Sequence, residues 1–526
     1  MPTVLAVVPE ALSVRGAVEA VMAQPRWRAS AGPEALIELR LDRMADATPE
    51  ALAWAAQALG PHRIIVTCRS LTEGGGVGGA VLHQPRARDA LLRTAVALGV
   101  AYVDVEVHTL GQDAAVRAAV GEPHAMGATR LVASYHALDH MPPVARLTAL
   151  ALDAQRLGAA ALKIVVRPRD AAQELALMAW AHGPQPLPTL AIALGEGGLW
   201  SRLLVGRQRH PGPYTPVRLD EATGVAPGQP TWSAADDQYR AWRVGPNTQG
   251  FGLVGHPVGH SRSPALHAQA IAARQMDAIY LPFEVPGSLQ QWLHLAAEAL
   301  PLRGLSVTAP HKGAALGLAA SLSDGARASA AVNTLVAVDG PSRRWHGDNT
   351  DAHAAAESLR AALRGVLAQR RVLILGTGGA ARAVAFGLCQ AGCQVAVWGR
   401  RAPAAAQLCA QLRPHLVGDG QLVPLTDEEL DAALGHCEAV VHCTPVGMAG
   451  TGTEGGARLL SDRQLKRLPI SAVLFDTVYA PAQTALMAAA RACGLTVLGG
   501  LDMLQRQAEA QYQLFYGAAA AHPGAR

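Results

Sequence analysis

Residues 371–388, RVLILGTGGAARAVAFGL, read as a short apolar strand, a glycine-rich turn (Gly376, Gly378, Gly379) and an alanine-rich helix opening at Ala380. Such a turn brings backbone N–H groups and a helix N-terminus to a pyrophosphate, which marks the first βαβ unit of a dinucleotide-binding domain. A glycine motif alone is a weak sign. This one is followed by a second strand, QVAVWGRR, that ends at Arg400 and Arg401, where Rossmann domains read the adenosine ribose. No carboxylate stands there before Gln407. Two guanidiniums in its place favour a 2′-phosphate, and therefore NADP over NAD.

Upstream of this unit lie four polar segments. LVGHPVGHSRSPALH (253–267) is a strand running into a loop that exposes the hydroxyls of Ser261 and Ser263. GLSVTAPHK (304–312) is a strand that turns over Pro310 to present Lys312. AVNTL (331–335) and GDNTD (347–351) bring an amide and a carboxylate to loop positions. Each of these residues is ordinary in a turn or cap. Hydroxyls, an amide, a carboxylate and a lysine together suit a polyhydroxylated small molecule.

Before residue 230 the pattern changes. VLAVV (4–8), LIELRL (36–41), RIIVTC (63–68), AYVDVEV (101–107), RLVASY (130–135), LKIVV (162–166) and TLAIAL (189–194) recur between Ala/Leu-rich stretches of helical spacing, with ATGVAP (222–227) as an eighth candidate strand. This alternation predicts a (β/α)8 TIM barrel, with an open doubly wound sheet as the alternative. Glu38, Arg40 and Asp42 alternate along the second strand and so share one face, where unpaired charge is poor core material. Arg69, His136 and Arg202 follow the ends of other strands, on the side where barrel active sites form. Lys163 lies between apolar residues, where burial would lower its pKa and favour the neutral amine. An amine of this kind beside a histidine and arginines points to Schiff-base chemistry on an anionic keto compound.

Composition narrows the field. The chain has 526 residues, half of them hydrophobic and 16% charged, so it folds as several domains with substantial cores. A net charge of +4 is too mild for a nucleic-acid binder, and no apolar run suits a membrane span or a signal peptide. These features predict a cytoplasmic protein. Cys68, Cys389, Cys393, Cys409, Cys437, Cys443 and Cys493 form no CxxC pair and read as small buried hydrophobes; His256, His260 and His267 follow no ligand spacing, so no metal is assigned. Only Lys163, Lys312 and Lys466 are lysines among 45 basic residues. Where arginine has displaced lysine almost everywhere, a surviving lysine points to a need for an amine that can lose its proton. Lys466, in the polar run SDRQLKR, reads as a chance survivor; the other two do not.

In order along the first ~235 residues, ELRLD, TCRSLTEGG, ASYH, LKIVV, GEGGLWSR and APGQ resemble type I 3-dehydroquinate dehydratase. The resemblance implies that Lys163 forms an imine with the substrate ketone. It makes His136 the general acid/base, with Glu73 orienting and charge-balancing it. Glu38, Arg40, Arg69, Arg202 and Gln229 would hold the hydroxyls and carboxylate. From residue 250 on, GHPVGHSRSP, SVTAPHK, AVNTL, GDNTD, GTGGAARA, HCTPVGM, DTVYAPAQT and GLDMLQRQA resemble shikimate dehydrogenase. That resemblance implies Lys312 and Asp351 as the catalytic pair, with Ser261, Ser263, Thr308, Asn333, Tyr479 and Gln507 on shikimate. It implies Asp324, Thr477 and Gly500 along the cofactor.

The chain departs from these families at Val225, Ala137, Ser306 and Ala354, although plant bifunctional members also read SVTxPHK. The expected division is a barrel over 1–242, a shikimate-binding domain over 250–352 completed by 500–526, and an NADP-binding Rossmann domain over 353–499. The combined expectation is a bifunctional enzyme that dehydrates 3-dehydroquinate and reduces 3-dehydroshikimate to shikimate. A catabolic quinate enzyme, a ligand-sensing regulator built from the same domains, and an aldolase-like barrel fused to an unrelated reductase are the rivals. Oligomeric state is left open.

Overall fold

The computed structural model describes residues 6–9, 13–23, 36–75, 85–120, 129–195, 198–208, 214–217, 229–231, 233–259, 261–338, 344–417, 420–449, 452–453 and 456–520. The branched runs of the first half form strands β1 (Ala6–Pro9), β2 (Leu36–Arg40), β3 (Ile64–Thr67), β4 (Tyr102–Glu106), β5 (Arg130–Ala137), β6 (Ala161–Val166) and β7 (Thr189–Ala193). An eighth strand, β8 (Tyr214–Val217), pairs in parallel with β1. The sheet order is β7-β6-β5-β4-β3-β2-β1-β8. Strands that succeed one another step by step and then set the last beside the first curl into a (β/α)8 barrel. A doubly wound sheet would instead reverse direction at an interior strand, so that alternative is set aside.

The eighth strand is a correction. The candidate ATGVAP run, with Val225, lies outside the described residues, and the strand on β1 is YTPV. Pro216 has no N–H for a ladder and masks the run as a strand.

Helices of the barrel start on side-chain caps, as at Thr48, whose hydroxyl accepts from Ala51 N, and Asp170, which accepts from Gln173 N. Helix Ala171–His182 buries Leu175, Leu177, Met178 and Ala181. Helix Leu289–Ala299 also lies against it: His182 Nδ1 donates to the Ala299 carbonyl at 2.8 Å. Trp200 meets Phe283 edge to face, with ring centroids 6.1 Å apart. The chain accordingly falls into two compact units, Met1–Gly250 with Ile271–Leu302, and Phe251–Ala270 with Arg303–Arg526.

Two further six-stranded sheets follow. β9 (Gln249–Gly255), β10 (Ala278–Glu284), β11 (Leu302–Val307), β12 (Ser321–Leu322), β13 (Thr334–Val338) and β14 (Arg344–Asp348) form a mixed sheet in the order β10-β9-β11-β13-β14-β12. β15 (Arg371–Leu375), β16 (Gln394–Trp398), β17 (Gln421–Pro424), β18 (Ala439–His442), β19 (Val473–Asp476) and β20 (Thr496–Gly499) form a wholly parallel one, β17-β16-β15-β18-β19-β20. This is the Rossmann order, and it reverses between β15 and β18, where such sheets open a crevice at their carboxyl ends. No described helix is long and apolar enough to cross a membrane. Among the described residues no cluster of His, Cys, Asp and Glu could hold a metal ion.

Candidate active sites

Lys163 sits in β6, opposite Ser134 of β5. Its Nζ lies 3.1 Å from Glu38 Oε1 and 3.3 Å from Asp104 Oδ2, and all three side chains are at most 7% exposed. The apolar cradle expected around the amine is therefore absent: two carboxylates hold it. Asp104 also takes Arg69 Nη2 at 3.0 Å and the Ser134 hydroxyl at 2.5 Å, while Arg69 Nη1 reaches Ser134 Oγ at 2.6 Å. Burial alone would raise the Asp104 carboxyl, but Arg69 and Lys163 outweigh it and hold the group well below the usual carboxylate range. Thr67 donates to Glu38 Oε1 at 2.7 Å. The barrel interior is thus a closed ionic network, and its charges are tolerable because each is paired.

His136 lies inside β5, one residue before its end, and not beyond it as expected. Its backbone N donates to Glu73 Oε2 at 2.9 Å, and its Nδ1 lies 3.1 Å from the same oxygen. Burial, then the positive charges of Arg69 and Lys163, push the imidazole well below its ordinary value, so the ring is neutral and can accept a proton. Burial and the nearby Glu106 carboxylate push Glu73 up to about 8. Both shifts favour the uncharged forms, and Glu73 Oε2 stands where it can set the orientation of the ring.

Arg40 forms a two-point pair with Asp42 at 3.0 and 2.8 Å. Asp42 stands in the turn Leu41–Arg43 and not on the strand. Arg202 is buried in the short helix Gly198–Leu203, and burial lowers it to about 10. Gln229 is half-buried, and the rest of its APGQ segment lies outside the described residues. Ala137, the departure beside His136, is buried in β5. Asp104, Ser134, Thr67 and Glu106 were not anticipated. Glu106 accepts from Ser70 N at 2.7 Å and pairs with Arg88. The i, i+2 spacing of Asp104 and Glu106 in AYVDVEV is the alternation that exposed Glu38 and Arg40, and it carried the same signal.

In the second half, Lys312 opens helix Lys312–Leu318 and Asp351 opens helix Asp351–Ala362; Lys312 Nζ lies 2.7 Å from Asp351 Oδ2. Asn333 Nδ2 donates to Asp351 Oδ1 at 2.9 Å, and its own Oδ1 accepts from Thr350 N at 3.0 Å. The carboxylate is thereby fixed with one oxygen turned to the lysine. Ser261 Oγ accepts from Ser263 N at 3.2 Å. Thr308, Tyr479 and Gln507 are half-buried. Burial raises the Tyr479 phenol against the opposing effect of Lys312 and Arg262, which places it within the field of the Lys312 amine. Ser306 is accounted for: it donates to Gln511 Oε1 at 2.7 Å, and Gln511 Nε2 donates to the Asn333 carbonyl at 3.0 Å. Gln511 props Asn333 from behind and was missed, since one glutamine in a helix gives no pattern. Ala354 is buried within helix Asp351–Ala362.

At the carboxyl end of β15, Gly376 has φ +126°, and a Cβ there would lie 2.9 Å from Thr444 Cγ2 and 3.0 Å from the Cys443 carbonyl oxygen. Only glycine fits. Gly378 caps the twelve-residue helix Gly379–Gln390, which includes Ala380, and a Cβ on Gly378 or Gly379 would meet nothing within 4 Å. The first turn thus faces open space, as a pyrophosphate requires. Arg400 and Arg401 follow β16 and are exposed. Thr477 directs its hydroxyl to the His442 carbonyl at 2.8 Å, and Gly500 lies against the Thr477 backbone. Asp324 is exposed at the start of its helix and pairs with Arg327 at 2.9 Å. These residues fit a dinucleotide.

A barrel with a paired inward lysine and neutral histidine, and a Rossmann sheet following a Lys–Asp pair, define a two-site α/β enzyme. The chain belongs to the family of bifunctional 3-dehydroquinate dehydratase/shikimate dehydrogenases. The type I 3-dehydroquinase family model matches residues 20–245, and that of the shikimate dehydrogenase substrate binding domain matches 253–335. The chain is 30% identical over 497 residues to the chloroplastic bifunctional 3-dehydroquinate dehydratase/shikimate dehydrogenase of Arabidopsis thaliana, covering 92% of this chain and 77% of that one. It is 40% identical over 270 residues to the shikimate dehydrogenase (NADP(+)) of Symbiobacterium thermophilum, over 51% of this chain and 88% of that one. The structure of dehydroquinate dehydratase and shikimate dehydrogenase from S. pombe aligns over 98% of this chain and 96% of that one, at 23% identity and a TM-score of 0.43.

Proposed function

We propose that the chain carries out two consecutive reactions, dehydration of 3-dehydroquinate to 3-dehydroshikimate and NADPH-dependent reduction of that product to shikimate. The observation that carries this reading is the pair of lysine centres, Lys163 with Glu38 and Asp104, and Lys312 with Asp351. In the barrel, Lys163 attacks the ketone carbon as the amine, and the two protons that its ammonium form gives up pass by way of neutral His136 to the carbonyl oxygen, which leaves as water so that an iminium remains. The iminium withdraws electrons, so neutral His136 can take the proton from the neighbouring carbon. The β-hydroxyl then departs as water with a proton from the histidine, and a second water hydrolyses the imine and frees Lys163. Glu73 sets the ring, and Arg40, Arg69, Arg202 and Gln229 hold the carboxylate and hydroxyls.

In the second site, Ser261, Ser263, Thr308, Asn333, Tyr479 and Gln507 bind the ring, and Lys312 delivers a proton to the carbonyl oxygen while Asp351 holds the amine. When bound, the reduced nicotinamide supplies the hydride. Gly376, Gly378, Gly379 and Ala380 would seat its pyrophosphate, Arg400 and Arg401 the 2′-phosphate, and Asp324, Thr477 and Gly500 the remaining contacts. We divide the chain as 1–242, 250–352 with 500–526, and 353–499, and place it in the cytoplasm, where seven unpaired thiols, most of them buried, suit a reducing medium.

The test is to supply 3-dehydroquinate with NADPH and follow enone absorbance and NADPH loss together. Borohydride should trap an adduct on Lys163. Lys163→Ala should abolish trapping and dehydration and leave reduction of added 3-dehydroshikimate within about twofold. An adduct at another residue would overturn the assignment.

A further inference from the structure

His442 and Asp476 are the last residues of β18 and β19 and stand directly opposite each other in the parallel ladder. Both side chains are essentially buried, at 1% and 0% exposure. A histidine and a carboxylate withdrawn from water in this way persist only if every polar atom has a partner. His442 Nδ1 lies 2.9 Å from Asp476 Oδ1, and because a carboxylate only accepts, Nδ1 carries the hydrogen. On the other edge of the ring, Nε2 and the Thr444 hydroxyl form a hydrogen bond of 2.6 Å, and Thr444 Oγ1 also accepts from Val446 N at 3.3 Å. Asp476 Oδ1 accepts from Val478 N at 3.0 Å, and Oδ2 accepts from the Thr484 hydroxyl at 2.6 Å.

The ends of this chain of bonds lie at the cofactor crevice. Thr444 supplies the methyl group that a Cβ on Gly376 would meet at 2.9 Å, so it forms one wall of the glycine-rich turn. The His442 carbonyl accepts from both Thr477 N, at 3.0 Å, and Thr477 Oγ1, at 2.8 Å. Two residues further on is Tyr479. The loop after β18, the loop after β19 and the turn after β15 therefore all depend on one buried pair, at the point where the strand order reverses. Leucine would fill the volume of the imidazole, but it cannot bond a carboxylate on one edge and a hydroxyl on the other.

We propose that His442 and Asp476 are a positioning pair for the reductase, holding the two loops and the glycine turn in the shape that receives the dinucleotide; this rests on the reading of that crevice as the NADPH site. Neither residue moves the proton or the hydride. The full-length His442→Leu, His442→Asn and Thr444→Val variants test the pair. Direct NADPH titration by fluorescence gives affinity, and steady-state reduction at saturating NADPH gives kcat. Dehydration of 3-dehydroquinate reports folding of the barrel.

His442→Leu should weaken NADPH about tenfold or more, and Thr444→Val, which removes only the hydroxyl, by roughly threefold. His442→Asn, which keeps one amide bond, should fall between His442→Leu and the wild type. In every variant kcat at saturation should stay within about threefold, and dehydration should be unchanged. If His442→Leu does not fold, the other two variants decide. Unchanged NADPH affinity in Thr444→Val and His442→Asn overturns the proposal, as does a loss confined to kcat. Failure of the wild type to bind NADPH overturns the cofactor reading and the inference with it.

Discussion

Glu73 shows how one side chain couples chemistry to stability. In the unfolded chain its carboxyl loses its proton near the ordinary 4.5, whereas in the folded protein burial and Glu106 keep the proton on until about 8. Between those values the unfolded state binds fewer protons than the folded one, so the contribution of this group is full below 4.5 and declines as pH rises to about 8. Glu73→Gln cannot ionise and should remove that decline. Thermal unfolding at steps from pH 5 to pH 8 should show the variant gaining on the wild type as pH rises; a constant difference would mean that Glu73 is charged throughout. The same carboxyl contacts both the backbone N and Nδ1 of His136, so under the proposed mechanism the variant should also lower the dehydration rate and leave reduction unaffected.

At the scale of elements, helix Asp351–Ala362 carries the carboxylate that pairs with Lys312 in its first turn and packs on helix Gly379–Gln390. The contact is backbone-close: a Cβ on Gly387 would lie 2.3 Å from the Ala352 carbonyl oxygen. Gly387→Ala must push the two helices apart next to Asp351, at a cost of about 1–3 kcal/mol. The expected outcome is a lower unfolding midpoint and a fall in kcat for reduction exceeding any change in KM for 3-dehydroshikimate, with dehydration intact. An unaltered kcat would show that the Lys312–Asp351 pair tolerates the shift. The end of β16 is a second test. Arg400 and Arg401 face solvent, and charge-assisted bonds to a phosphate contribute about 1.5–3 kcal/mol each. Replacing both with Ala should raise KM for NADPH by 10-fold or more, roughly, while barely altering that for NADH. Equal use of both cofactors by the wild type would remove the phosphate clamp and favour the catabolic reading.

For the whole molecule, the first compact unit does not end where the barrel pattern ends, because Ile271–Leu302 packs with it. Phe283 on Trp200, and the Ala299 carbonyl on His182, cover side chains that a chain cut after residue 250 would expose. Trp200 is a neighbour of Arg202 in the same short helix, so the loss would reach the substrate side of the barrel. Such a fragment should unfold on the order of 10 °C below the full-length barrel, with a raised KM for 3-dehydroquinate. Equal midpoints, measured through dehydratase inactivation, would show that the first 250 residues are self-sufficient.

The sequence by itself determined most of the elements and both lysines. Branched runs spaced by helical stretches, glycines at a strand end, and lysine surviving where arginine is the rule are all local signals, set by neighbours a few residues apart. YTPV escaped because a proline disguises a strand whose place is fixed only by its partner β1. Which charge meets which was decided by tertiary structure. Asp104 lies 59 residues from Lys163 and reads as one more polar position in a strand until the barrel brings them to 3.3 Å. His442 and Asp476, 34 residues apart, become a pair only when their strands lie in register. Pairing energy depends on distance and on the exclusion of water, and both are properties of the folded chain.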